Sequence, residues 1–135
     1  MKRVLVAVPD LFFGVSVANA VRAAGGEPIT IRGADGAFAA LAAENPYPPA
    51  LVVVDLAARI DPNEVISAAA AGDIPVFAFG PHLGTAAIME ARAAGAEKVV
   101  ANSALDRALP AWLAYRLQDS HSTPGAAPFP LDDEE

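Results

Sequence analysis

The sequence predicts an α/β domain: a doubly wound, five-stranded parallel sheet in the order 2-1-3-4-5, covered by helices on both faces in a three-layer αβα arrangement. Three observations lead there. Five short β-branched runs recur along the chain, and most are continuous rather than alternating, as expected for strands buried on both faces. A segment of helical spacing separates each run from the next, and crossovers of that length join parallel neighbours. All five units fit within residues 1–117, enough for one core and too little for two.

The predicted strands are Arg3–Val8, Pro28–Ile31, Leu51–Val54, Pro75–Phe79 and Lys98–Val100. In the first helix Phe13, Val17, Ala20, Val21 and Ala24 share one face, and Gly25-Gly26 ends it. Phe38, Leu41 and Ala42 form the stripe of the second, which Asn45-Pro46 stops. The third starts on a strong signal: Asp61 as cap, Pro62 in the first turn, Glu64 three residues on from the cap. Gly72 closes it. The fourth runs from about Thr85, with Ile88 and Met89, to Gly95. For the fifth, Ser103 and Asp106 resemble a capping box, and Pro110 reads as an interruption. The expectation is a turn over 103–108 and a helix from about Leu109 to Leu117.

Composition excludes several classes of function. The chain is 54% hydrophobic and 19% charged, which argues against global disorder. It has no cysteine, hence no disulfide, thiolate metal site or cysteine nucleophile. No run approaches the roughly 18 apolar residues of a membrane span, and the opening Val4–Val8 run is too short for a signal-peptide core. A cytoplasmic protein without membrane contact is expected. Of the 16 acids, Asp119, Asp132, Asp133, Glu134 and Glu135 lie in 118–135 with no Lys or Arg, so the net charge of −7 becomes −2 over 1–117. This is not the basic footprint of a nucleic-acid binder. Residues 118–135, rich in Ser, Pro and Gly before their acids, read as a disordered acidic tail, with Phe129 and Leu131 as a short docking motif.

In such a sheet, ligands bind beyond the carboxyl ends of the strands, near the switch between strands 1 and 3. Asp10 and Asp55 face each other there as the candidate acidic or metal-binding pair. Asp55 ends the run Leu51-Val52-Val53-Val54, and serves either as an acceptor carboxylate or as a cap for the backbone amides of its own exit turn. Gly80-Pro81-His82-Leu83-Gly84-Thr85 is a loop able to hold an anion at a helix start, or a plain turn capped by Thr85. Asn102 and Ser103 follow the fifth strand. Phe12 is out of phase with the helical stripe, so it either covers the sheet end or stands exposed as a partner contact.

At these residues the chain resembles the receiver domain of bacterial response regulators, a CheY-like member of the flavodoxin-like folds. Lys2–Asp10 is similar to the first receiver strand, Leu51–Asp55 to the strand ending in the phosphoacceptor, and Ile74–Phe79 to the fourth strand with its opening proline. Ala93-Ala94-Gly95-Ala96 before Lys98-Val99-Val100 is similar to the Gly-Ala turn into the fifth. The resemblance covers about residues 2–117 and implies Asp55 as phosphoacceptor. It also implies Mg²⁺ held by paired acids, a Ser or Thr after strand four and a Lys after strand five. Here Val8 or Pro9 stands where a second acid would, Gly80 replaces the hydroxyl, Ala101 the Lys and Asn102 the following Pro. The loop from Asp55 to Pro75 is shorter than usual and lacks the Met-Pro and Gly.

The expected function is therefore that of a degenerate receiver, a pseudo-receiver. It would be no enzyme, have no cofactor beyond a weak Mg²⁺ site, and regulate an unidentified protein partner by contact. The alternatives are a working receiver phosphorylated on Asp55, and a small ligand-binding domain or enzyme built on His82 and the Gly80–Thr85 loop. The chain's length leaves no room for a DNA-binding effector, so output is expected through another protein. A Leu109–Leu113–Leu117 stripe would turn Trp112, Tyr115 and Arg116 outward, unless the Pro110 kink rolls Trp112 inward to fill space beside the alanine-rich fourth helix; receivers often pair through helices four and five. A homodimer through that face is the corresponding expectation.

Overall fold

The computed structural model describes residues 1–58, 61–81 and 84–118. The element order is β1 (Arg3–Ala7), α1 (Leu11–Ala23), β2 (Glu27–Ile31), α2 (Ala34–Leu41), β3 (Leu51–Asp55), α3 (Pro62–Ala71), β4 (Val76–Gly80), α4 (Thr85–Ala94) and β5 (Lys98–Ala101). A 3-10 turn (Asn102–Ala104) then leads into α5 (Leu105–Arg116). The strands form one parallel sheet in the order β2-β1-β3-β4-β5. This is the predicted doubly wound topology.

The sheet separates two apolar layers. Alternate strand residues face opposite sides. Val4, Val6, Val53, Phe77, Phe79 and Val100 pack under α1 and α5, through Val17, Val21, Leu105, Leu109 and Leu113. Leu5, Ala7, Val52, Val54, Ala78 and Val99 pack under α2, α3 and α4, where Ala37, Val65, Ile66, Ala69, Ile88 and Ala91 meet them. Full burial of a Val, Leu or Ile side chain contributes about 1.5–3 kcal/mol. The second layer is built largely from alanine, so its helices approach closely. At Gly95, the C-cap of α4 with φ +122°, an added Cβ would stand 2.5 Å from Cβ of Ala70 in α3.

Local signals explain most boundaries. The Asp61 carboxylate accepts from Glu64 N and Pro62 occupies the first turn of α3, as the sequence predicts. α2 ends earlier than expected, where Ala42 turns extended (ψ 142°), and Asn45 donates to the carbonyl of Ala40 instead of terminating the helix itself. Gly84, not Thr85, occupies the N-cap of α4.

α5 differs most from expectation. It begins at Leu105 and carries Pro110 inside it, with Ala104 as N-cap and no Ser103–Asp106 capping box. Pro110 forfeits the one bond its N–H would make to the Asp106 carbonyl. Both residues are exposed, so water can meet that carbonyl. The extra turn also places the buried stripe differently: Leu105, Leu109, Trp112 and Leu113 follow i, i+4, i+7, i+8. Trp112 is 1% exposed and Tyr115 3%. Neither lies on the outer side of the helix, contrary to the sequence reading, and Arg116 is only half-buried against Glu97. Trp112 and Tyr115 are thus core residues rather than exposed anchors of the expected homodimer face.

Of the segment 118–135 expected as an acidic tail, residues 119–135 lie outside the described residues, and so do His82 and Leu83. Among the described residues no helix is long and apolar enough to cross a membrane.

Candidate functional site

The carboxyl ends of β1, β2 and β3 open into a cleft of about 580 Å³. Asp10 and Asp55 both line it, together with Arg32 from the end of β2, Gly33 at the start of α2, and Ala57 and Ala58 beyond β3. The expected pair of acids is thus brought to one cleft, and Arg32, which sequence reasoning missed, joins it. Its one mark in the sequence is a cation directly after the second strand, which does not set it apart from a solvated residue. Gly80, Asn102 and Ser103 do not line this cleft.

Each carboxylate already has backbone work. Asp10 is the N-cap of α1, and its Oδ1 accepts from Phe13 N at 2.9 Å. Asp55, 7% exposed, closes the exit of β3: its Oδ1 accepts from Ala57 N at 2.9 Å and its carbonyl from Ala58 N. Burial raises the Asp55 pKa above its ordinary 3.8, the Ala57 N–H opposes that rise, and the charge of Asp10 adds to it. The neighbouring strand supplies no second acid. Ala7 of β1 pairs with Val54 of β3, so the next step along both strands sets buried Val8 beside Asp55. Asp10 comes two residues later, turned to its cap.

At the carboxyl ends of β4 and β5, Gly80 and Ala101 carry no polar side chain. Gly80 ends β4 and pairs with Ala101, the last residue of β5. Pro81, Thr85 and Ser103 are exposed, and Thr85 is the first residue of α4. The Oδ1 of Asn102 is buried with no hydrogen-bond partner among the described residues. Phe12 is 78% exposed. It stacks edge-on against Phe13 at 5.4 Å, and Phe13 rests on Phe79 at 5.7 Å, so a line of rings leads from the core to the surface.

The donors available to the divalent cation that the receiver resemblance implies are few. One Asp55 oxygen is held by an amide, Asp10 is held by another, and Val8 fills the place of an acid. Among the described residues no three His, Cys, Asp or Glu side chains cluster.

The architecture and its edge define a class, the doubly wound α/β domains that open at the β1/β3 switch. Within that class the chain has the fold of response-regulator receivers. It is similar to the phosphorylated cyanobacterial phytochrome response regulator RcpA, at 18% identity and TM-score 0.75, over 91% of this chain and 98% of that one. The BeF₃-activated DrrB receiver domain matches at 16% identity and TM-score 0.72, over 87% and 97%. A CheY-like receiver domain protein from Methanospirillum hungatei matches at 15% and 0.69, over 87% and 97%. No protein-family model and no curated protein matches the chain.

Proposed function

We propose that this domain is a receiver-like signalling module that works by protein contact, without efficient phosphotransfer and without catalysis of its own. The observation that carries the proposal is the state of Asp55. Its carboxylate closes its own turn beside Val8, at an edge where Gly80 and Ala101 offer neither hydroxyl nor ammonium. RcpA is phosphorylated and DrrB is activated by BeF₃. This chain keeps their frame and one acceptor-type aspartate, but few of the charges that would steady a transferred phosphoryl group. Exposed Phe12, at the end of the ring line from Phe79, suits the contact surface for a protein partner. The near-neutral net charge over residues 1–117 favours a protein over a nucleic-acid partner.

Intact-mass analysis after incubation with a small phosphodonor and Mg²⁺ tests the proposal. The expected mass is that of the untreated chain. A phosphate-sized gain that vanishes in Asp55→Asn would establish the second reading, a working phosphoacceptor. That reading draws support from Arg32, which lines the same cleft as Asp55 and carries a guanidinium of the kind that binds phosphate.

A further inference from the structure

A narrower groove adjoins the cleft along α1, sharing Pro9, Asp10 and Arg32 with it. On α1, Leu11, Val15, Ala18 and Arg22 follow one another at helical spacing along the wall of this groove of about 190 Å³, and Thr30 and Arg32 of the β2 side form the opposite wall. Leu11 is 64% and Val15 60% exposed, an apolar stripe bracketed by two guanidiniums.

We propose that residues 129–135 of this same chain, Phe129-Pro130-Leu131-Asp132-Asp133-Glu134-Glu135, dock in this groove. The chemistry matches: two large apolar side chains for Leu11 and Val15, followed by four acids for a guanidinium. Reach matches too. Leu117 lies 3.2 Å from where a Cβ on Gly26 would stand, so the chain leaves α5 beside the C-terminal end of α1. The 13 residues of α1 measure about 20 Å. Residues 119–128, fully extended, span up to about 33 Å. A segment running from that end of α1 toward its start sets Phe129 and Leu131 on Val15 and Leu11, and delivers the acids to Arg32. Asp10 also faces the groove, but its carboxylate is engaged by the Phe13 amide. Docking here does not depend on whether Asp55 accepts a phosphoryl group.

The absence of cysteine permits a direct test on the full chain. A nitroxide is attached at Ala126→Cys and amide signals are compared before and after its reduction. The expected result is loss of most intensity for Leu11, Val15, Ala18 and Thr30, with the amides of α3 and α4 unaffected. In Phe129→Ser/Leu131→Ser the loss should disappear, and salt should weaken it. Losses confined to the end of α5 would overturn the proposal. So would losses in a mixture of nitroxide-labelled unenriched chain and unlabelled ¹⁵N chain, which would assign the groove to a second copy.

Discussion

Trp112 and Glu97 are joined by a 2.6 Å hydrogen bond from the indole Nε1 to Oε1, which fastens α5 to the turn before β5. The same carboxylate accepts from Arg116 Nε at 2.8 Å and pairs with its other guanidinium nitrogen. The indole ring packs on Phe77 with centroids 5.5 Å apart. Trp112 is therefore a core residue with a polar tether.

Trp112→Ala should cost about 3–5 kcal/mol, the range for truncating a buried aromatic. At about 4 °C per kcal/mol for a domain of this size, the melting temperature should fall by well over 10 °C. Trp112→Phe, which keeps most of the apolar contact and loses the tether, should cost about 1–2 kcal/mol. Thermal melts measure both, and light scattering should show an unchanged particle mass.

Glu97→Gln leaves an acceptor for the indole but removes the charge that offsets the Arg116 guanidinium. Desolvation already presses the Arg116 pKa downward. A loss of about 2 kcal/mol is expected, in the range for hydrogen bonds to charged groups. Denaturant titration reads it, and a neutral result would mean that water solvates Arg116 in its place.

Asp10 can be divided into cap and charge. Asp10→Ala should cost about 1 kcal/mol through the lost bond to Phe13 N. Asp10→Ser should restore most of that loss while removing the repulsion on Asp55. Carboxyl titration by NMR should then find the Asp55 pKa lower in both variants than in the wild type.

Asp55 contributes a pH dependence of definite sign. Its folded pKa lies above 3.8, so the native state holds the extra proton in the window just above that value. Stability contributed by this group falls as pH rises through the window, and at neutral pH the buried carboxylate is a burden. Asp55→Asn, which can still accept from Ala57 N, should melt a few degrees higher than wild type at pH 7. The gain should fade as pH falls toward 3.8. An Asn variant less stable than wild type at pH 7 would show that the charged bond to Ala57 outweighs desolvation.

Gly95→Ala places a methyl against Ala70 at a φ that L residues rarely adopt. Strain and overlap act together, and a loss of about 2–3 kcal/mol is expected, larger than an ordinary glycine-to-alanine effect. Ala70→Gly in the same chain should recover part of it, because it removes the methyl that clashes.

The strands were legible because burial on both faces writes itself as continuous runs such as Leu51–Val54, and the Asp61-Pro62 start of α3 because capping is local. α5 was misread because Pro110 counts as a stop only where its lost bond cannot be solvated. Once Leu105 was left out of the helix, the phase of Trp112 followed wrongly. The Glu97 tether joins residues 15 and 19 positions apart, and no periodicity reports such a contact. At the candidate site, the positions of Asp10 and Asp55 could be read from the ends of their strands. That Asp10 turns to cap α1 while Val8 stands beside Asp55 depends on strand register, which side-chain pattern leaves open when both faces are apolar. Arg32 was missed because β2 is half-exposed, and a cation after such a strand resembles any solvated residue.

The outermost strand, β2, has a consequence for how copies of the protein meet. Glu27 N donates to Lys2 O, and in a parallel ladder the bonded residues alternate, so Glu27, Ile29 and Ile31 face β1 while Pro28 and Thr30 turn their backbone outward. Pro28 has no N–H, which leaves Thr30 as the single outward donor within the strand. A foreign strand approaching this border finds half of the donors it needs, so this one of the sheet's two edges is blunted against strand addition by a residue that costs its own sheet nothing.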